Sequence, residues 1–258
     1  MHSPVHRPSL DGCHGLLLDR LKNICRHTSV MSSSRESDSA GSSPSGTLRL
    51  APARFSNSAN WLLAERLLLG RYPYANPGYC TSESEALQIL KSVVQDARVS
   101  AFVCLQQELP QQEDADAWPA DGVRVRNFEG SFMPYADIAR SLARDSQTLE
   151  FIHAPIADLN VPSSQELQTL LDELQGRLLS GQVIYLHCWG GRGRTGIVAA
   201  CLLAQLFPEM SAEECLQAVQ TGYSARGDPK DVGALSKSPQ TEEQRKFVRQ
   251  WISRFRSS

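Results

Sequence analysis

The 258-residue chain is expected to fold as an α/β domain, with a central, mostly parallel sheet flanked by helices. Two observations predict this. Short continuous apolar runs of the kind that form buried strands, at residues 99–105, 149–156 and 183–186, alternate with longer segments whose apolar residues recur at helical spacing. Capping-box pairs open those longer segments: Ser82 with Glu85, Ser163 with Glu166, and Ser211 with Glu214. Strands alternating with helices over most of a chain favour parallel pairing through crossover connections. No internal repeat interrupts the pattern.

The first fifty residues stand apart. From 30 to 46 the chain is mostly Ser, with Gly, Pro and scattered charges, too polar to bury a core. Upstream, Leu16, Leu17, Leu21 and Ile24 have the spacing of a short amphipathic helix. Arg7, Arg20, Lys22 and Arg26 beside a Ser-rich run resemble a transit peptide, and Asp11 and Asp19 count against one. Residues 1–50 are therefore read as a disordered tail, with organelle targeting as the alternative. Residues 51–258 are read as the folded domain.

Within that domain, the apolar run 61–69 ends at Gly70 and is followed by turn signals at Tyr72-Pro73 and Asn76-Pro77-Gly78. Ser82 opens a helix through Ala86, Ile89, Leu90, Val93 and Val94, and a strand follows at 99–105. A weaker strand is expected at 123–128, and residues 129–148 show no clear period. The strand at 149–156 delivers the chain to Asp158. A helix with Leu167, Leu170, Leu171, Leu174 and Leu178 on one face follows Ser163 and stops at Gly181. The strand from Val183, a glycine-rich loop and the apolar helix 197–207 come next, then a helix from Ser211 to about Ala225. The last helix carries Phe247, Trp251 and Phe255 at i, i+4, i+8.

A formal net charge of −2 and a pI near 6.3 announce neither nucleic-acid binding nor attraction to an anionic membrane. No apolar run approaches the roughly 20 residues that span a bilayer. The cysteine count is odd, 7, and the spacing is irregular, so a reduced cytoplasmic setting is expected. Cys13-His14 and Cys25-Arg26-His27 lack the paired ligands of a zinc site. Neither metal nor cofactor is expected, and the oligomeric state is left open.

The chemistry concentrates in His187-Cys188-Trp189-Gly190-Gly191-Arg192-Gly193-Arg194-Thr195-Gly196. A strand leads into this stretch and a helix leaves it. A thiol near pKa 8.5 attacks only as thiolate, and backbone amides, a helix N-terminus and a guanidinium each stabilise negative charge on Cys188. Gly190, Gly191, Gly193 and Gly196 let amides turn inward without Cβ clashes. Arg194 offers a planar fork for two phosphoryl oxygens, and Thr195 is placed to hydrogen-bond the sulfur. The GxxxxGK[ST] spacing of a nucleotide P-loop is absent, as is a dinucleotide GxGxxG in register. A buried structural cysteine beside a glycine turn is the plain alternative.

His187-Cys188-(x2)-Gly191-(x2)-Arg194-Thr195 resembles the signature loop of the cysteine-based protein tyrosine phosphatase superfamily. From about Ala51 onward the chain is most similar to the dual-specificity branch. The resemblance implies that Cys188 carries a phosphocysteine intermediate and that the backbone from Trp189 through Gly190, Gly191, Arg192 and Gly193 to Arg194 binds the phosphoryl oxygens. It implies that His187 orients the loop and helps lower the cysteine pKa; a histidine that simply packs in the core is the equal alternative. An Asp on a loop upstream of the cysteine is the family's general acid, and Asp158 between Pro155 and Pro162 holds that place. Residues 238–244 resemble the family's glutamine loop, with Gln240 placing the hydrolytic water and Gln244 second; a helix start capped by Thr241 explains the same residues. No metal or cofactor is implied.

The implied substrate is a phosphorylated protein, on phosphotyrosine and phosphoserine/threonine. Arg192 stands where tensin-type phosphoinositide phosphatases carry a Lys, which keeps a phosphoinositide as the alternative. Those enzymes also carry a Lys directly after the cysteine, whereas Trp189 offers an apolar surface there. A phosphate-binding pseudophosphatase is the remaining rival, and it predicts loss of Cys188, Arg194 or Asp158. Cys104 and Cys201 are candidate resolving thiols under oxidation, against ordinary burial in apolar runs.

Overall fold

The computed structural model describes residues 29–30, 48–144, 146–228 and 236–257. The tail's helix, targeting role and two cysteines fall on residues outside these. Ser29–Val30 and residues 48–50, both within the fifty read as a disordered tail, instead form strands, because they pair with each other and with the sheet. Paired structure is present before Ala51, because the strand Leu48–Arg54 pairs with the next one.

A seven-stranded sheet runs through the domain in the order β1-β2-β3-β4-β9-β5-β8. These are β1 (Ser29–Val30), β2 (Leu48–Arg54), β3 (Ala59–Leu63), β4 (Leu67–Gly70), β5 (Ala101–Gln106), β8 (Glu150–Ile156) and β9 (Ile184–His187). The β4–β9, β9–β5 and β5–β8 pairs are parallel; those from β1 to β4 are antiparallel. The sheet is thus mixed, where a mostly parallel one was expected. The reason lies in the apolar run 61–69, which hides a tight hairpin: the Arg66 N–H donates to Leu63 O at 3.2 Å and Glu65 takes φ 55°. So short a connection permits only antiparallel pairing.

Alternation along the parallel strands feeds two cores. On β5, Ala101, Val103 and Leu105 face one cluster, and Phe102 and Cys104 the other. The first core lies under α3 (Ser164–Leu179), α4 (Gly193–Leu206), α5 (Ala212–Ser224) and α6 (Glu242–Phe255). The second lies under α1 (Glu83–Lys91, with a π-helical turn to Asp96) and α2 (Ala136–Leu142). Helix α4 is buried along nearly its whole length, which explains why its sequence is apolar all round. Among the described residues no helix is long and apolar enough to cross a membrane.

The boxes at Ser163 and Ser211 close reciprocally as expected. Ser82 makes only half of one, accepting from the Glu85 N–H at 3.4 Å. The weak strand at 123–128 shortens to β6 (Val123–Arg124), paired with β7 (Ser131–Phe132) in a separate hairpin. Asn127 at φ 70° turns the chain away there. The parallel strands β5, β8 and β9 all point their C-terminal ends at one edge, where doubly wound sheets place ligand sites.

Candidate active site

The first turn of α4 begins at Gly193, so Arg194 sits inside it and Arg192 is the N-cap residue. The loop between β9 and α4 is therefore a tight bridge. Gly191 is its tightest point: it takes φ 64°, and a Cβ there would stand 2.1 Å from Gly70 O, so only glycine fits. A cavity of about 620 Å³ opens over the bridge, lined by Cys188, Trp189, Gly190, Arg192, Gly193 and Arg194. Asp158, Leu159, Gln240 and Gln244 also line it, as do Gly78, Tyr79 and Phe128.

Arg194 is 2% exposed and both of its Nη atoms are engaged. Nη1 donates to Glu108 Oε2 at 2.6 Å and to Ile156 O at 3.1 Å, and Nη2 donates to Glu108 Oε1 at 2.9 Å. Asp158 Oδ1 is 3.0 Å from Nη2. Burial works against the charge on Arg194, yet these carboxylates and Cys188 outweigh it and raise its pKa further. Burial likewise opposes the charge on Glu108, but hydrogen bonds from Arg194 win and hold its carboxyl below the ordinary range. A bidentate pair of this kind fixes the plane of the guanidinium as well as its place.

Arg226, fully buried, braces the loop from behind. Its Nε donates to Asn60 Oδ1 at 2.8 Å and its Nη2 to Gly191 O at 3.0 Å. Holding that carbonyl outward suits a loop whose amides are to face an anion.

His187 is completely buried, and its ring is neutral because burial pulls its pKa down to about 3. Tyr135 OH lies 2.7 Å from Nε2, and Cys188 O lies 3.4 Å from Nδ1. A carbonyl can only accept, so the proton sits on Nδ1 and Nε2 accepts from the tyrosine. His187 thus sits as a buried core histidine whose ring meets the carbonyl of Cys188. The unfolded imidazole protonates near pH 6.5 and the folded one only near 3. Between those values the unfolded chain binds the extra proton, so this residue's contribution to stability falls as pH drops, by up to about 1.4 kcal/mol per unit. Urea midpoints of the wild type are expected to fall more steeply from pH 7 to 4.5 than those of His187→Asn; equal slopes would contradict the assignment.

Thr195 is buried and its Oγ1 has no hydrogen-bond partner among the described residues. The expected bond to the sulfur is not made here. Thr241 caps α6, the alternative that the sequence offered, and Gln244 completes its capping box. The Gln244 Oε1 accepts from the Gln240 and Thr241 N–H groups at 3.0 and 3.2 Å, and its Nε2 donates to Asn160 O at 3.2 Å. Gln244 thereby ties the Asp158 loop to the Gln240 loop. Gln240 keeps its side chain near Gly193, with Oε1 at 3.3 Å from a Cβ built there.

Trp189 is held rather than loose. Its Nε1 donates to Pro77 O at 2.9 Å, and Phe128 and Phe132 meet its ring edge-on at 4.8 and 5.4 Å. Arg192 lines the cavity with Nη1 buried and unpartnered among the described residues. Burial pushes the Cys104 thiol up to about 12 and the Cys201 thiol well above its ordinary value. Both therefore remain protonated thiols packed in the cores.

The structure brings Asp158, Cys188, Trp189, Gly190, Arg192, Gly193, Arg194, Gln240 and Gln244 to one cavity and leaves His187, Gly191 and Thr195 behind it. Sequence reasoning missed Glu108 and Arg226. Glu108 had a signal: it lies just past the C-terminal end of β5, as Asp158 does after β8 and Cys188 after β9. Arg226 had none, since it follows a helix and reaches the loop only through the tertiary fold.

A family model described as "Polymorphic toxin system, DSP-PTPase phosphatase" matches residues 132–206, a span that contains Asp158, Cys188 and Arg194. The putative tyrosine phosphatase 067L of Invertebrate iridescent virus 3 is 32% identical over 113 residues, 41% of this chain and 45% of the viral protein. Cyclin-dependent kinase inhibitor 3 of Homo sapiens is 35% identical over 68 residues, 26% of this chain and 32% of that protein. The chain thus spans less than half the length of either relative. The crystal structure of Tk-PTP in the active form aligns with a TM-score of 0.46 and 22% identity, over 73% of this chain and 92% of that one. The loop from His187 to Gly196 lies inside the matched segment, so over residues 132–206 the chain is similar to the DSP-PTPase phosphatases that the family model describes.

Proposed function

We propose that the protein is a cysteine-dependent phosphatase that hydrolyses phosphomonoesters of proteins, on phosphotyrosine and phosphoserine/threonine, through a phosphocysteine intermediate. The observation that carries the reading is the convergence of Cys188, Asp158 and the buried fork of Arg194 on one cavity. In the first step the Cys188 sulfur attacks phosphorus, the phosphorus–oxygen ester bond breaks, and the leaving oxygen takes a proton from Asp158. Arg194 and the loop amides hold the equatorial oxygens, where charge is carried in the transition state. In the second step water attacks the phosphocysteine, gives its proton to the Asp158 carboxylate and expels the thiolate; Gln240 at the mouth of the α4 turn orients that water.

Incoming phosphate must also take Arg194 Nη2 from Asp158, which frees the acid to meet the leaving oxygen. Glu108 stays in place and keeps the fork flat during this exchange. A reduced cytoplasmic setting suits a mechanism that needs a free thiolate. The unpartnered Nη1 of Arg192 favours a phosphoinositide as the second reading, because it offers a donor to a further anionic group.

The deciding experiment is acid quenching during turnover of a ³²P-labelled aryl phosphate, followed by peptide mapping. Label is expected on the peptide containing Cys188, in an acid-stable thiophosphate ester. Label on a histidine, serine or aspartate instead, or no label under burst conditions with turnover, would overturn the intermediate.

A further inference from the structure

A second cavity, of about 530 Å³, draws on the same two chain segments as the first yet shares no lining residue with it among the described residues. Residues 74–81 give Gly78 and Tyr79 to the active-site cavity and Tyr74, Ala75 and Thr81 to the second. Residues 128–133 give Phe128 to the first and Gly130, Ser131 and Met133 to the second. The two segments are locked together. The Met133 N–H donates to Ala75 O at 3.1 Å, and a Cβ on Gly130 would stand 3.0 Å from Thr81 Cγ2. Asn76 stiffens the first segment, its N–H donating to Cys80 O and its Nδ2 to Tyr74 O, each at 2.8 Å.

What this cavity offers a ligand is apolar surface and negative charge. Trp118 spends its indole N–H on Gln111 O at 2.9 Å, which leaves its ring, with Met133, Pro134 and Ile138, as apolar lining. Gln112 is buried with its amide engaged at both atoms: Oε1 accepts from the Tyr135 N–H at 2.9 Å, and Nε2 donates to Tyr72 OH at 3.1 Å. The charged residues in the lining are Glu83, Asp121 and Asp137, and among the described residues no Lys, Arg or His joins them. Glu83 and Asp137 stand in the first turns of α1 and α2, where an acid is favoured locally. Asp121 serves no helix; it stands in the turn that the Gly122 N–H closes on Pro119 O at 2.8 Å. Asp121 meets Arg124 at 3.7 Å and Asp137 meets Arg140 at 3.0 Å. Both carboxylates are exposed, so these pairs spend little of their charge.

A lysine or arginine side chain joins an apolar stem to a cationic head and so matches both properties at once. The active-site cavity carries the opposite sign, with Arg192 and Arg194 in its lining. We propose that the second cavity docks a lysine or arginine side chain of the protein substrate, carried in the same peptide segment as the phosphorylated residue. This rests on the reading of the protein as a phosphatase of phosphoproteins. The phosphate is drawn to the Arg194 fork, and the cation to the Trp118 ring and the three carboxylates. Because the contact is made in the ground state and the transition state alike, it lowers KM and leaves kcat as it is.

The test scans a single lysine through the positions on either side of phosphotyrosine in an otherwise uncharged peptide, and repeats the scan with glutamate. Wild type, Asp121→Asn and Glu83→Lys are assayed, with turnover of a small aryl phosphate and thermal unfolding measured on each to register damage to the active site or fold. A restricted set of positions is expected at which lysine raises wild-type kcat/KM roughly fivefold, through KM. Asp121→Asn is expected to lose most of that gain with its aryl phosphate turnover unchanged, and Glu83→Lys to favour glutamate at the same positions. A lysine gain at no position, an equal gain at every position, or a full gain in both variants overturns the docking site, while turnover of the aryl phosphate upholds the phosphatase reading. No turnover of the aryl phosphate by wild type overturns both.

Discussion

Cys188→Ser is expected to lower kcat/KM for an aryl phosphate by at least about 10⁴-fold, on the scale of losing a nucleophile outright, while inorganic phosphate still binds within a few-fold of wild type. The two halves have separate origins. Cys188 is 3% exposed at the floor of the cavity, and serine is close enough in volume to leave the cradle of amides and the Arg194 fork in place. Binding of an oxyanion therefore survives. A hydroxyl, however, becomes a nucleophile only with a base in reach, and neither His187 nor Asp158 is placed to serve residue 188 as one. His187 is turned away, with Nδ1 on the Cys188 carbonyl and Nε2 on Tyr135. Asp158, the carboxylate that lines the cavity, is needed protonated at the leaving oxygen. Steady-state turnover beside calorimetric titration with phosphate separates the two halves. A serine variant that keeps more than a percent of the activity would remove Cys188 from the role of nucleophile.

How much of this was legible beforehand depended on whether the information was local. The thiol, the glycines and Arg194 sit within one decapeptide, and the backbone geometry they require is written in consecutive residues. Asp158 was legible because it follows a readable strand. The hairpin of β3 and β4 was not, because its turn at Glu65 carries no Gly, Pro or Asn and the flanking residues are apolar on both faces. Glu108 was obscured by the polar composition of residues 106–116, in which nothing distinguishes it from its neighbours except its position past the end of β5. Arg226 meets the loop across 35 residues of sequence, so only the packing of α5 against the sheet brings it there. Charge was the other limit. Complete burial among aromatic rings keeps the histidine beside the cysteine neutral, and no neighbouring residue in the sequence announces that burial.

The same distinction between local chemistry and tertiary arrangement makes Asp158→Ala the sharper of the two tests. For substrates with a basic leaving oxygen, kcat/KM is expected to fall by about 10²- to 10⁴-fold, the usual worth of a general acid. For a nitrophenyl phosphate, whose leaving group needs little protonation, the loss is expected to be much smaller. The structure adds an effect of opposite sign. In the free cavity Asp158 Oδ1 lies 3.0 Å from Arg194 Nη2, so it competes with any oxyanion for that nitrogen. Its side chain is 55% exposed, which limits such a pair to about 1 kcal/mol after solvent screening, or roughly a fivefold change. Removing it therefore tightens binding of phosphate or vanadate by up to about fivefold while turnover collapses. A damaged loop would weaken binding and turnover together, and a misassigned acid would leave the dependence on leaving group as it is in wild type. Because Glu108 still grips the other edge of the guanidinium through both of its oxygens, the fork that receives the oxyanion stays planar and oriented in the variant. Tighter binding alongside lost catalysis is thus the pattern that separates an acid resting on the phosphate's own ligand from one that merely caps a turn.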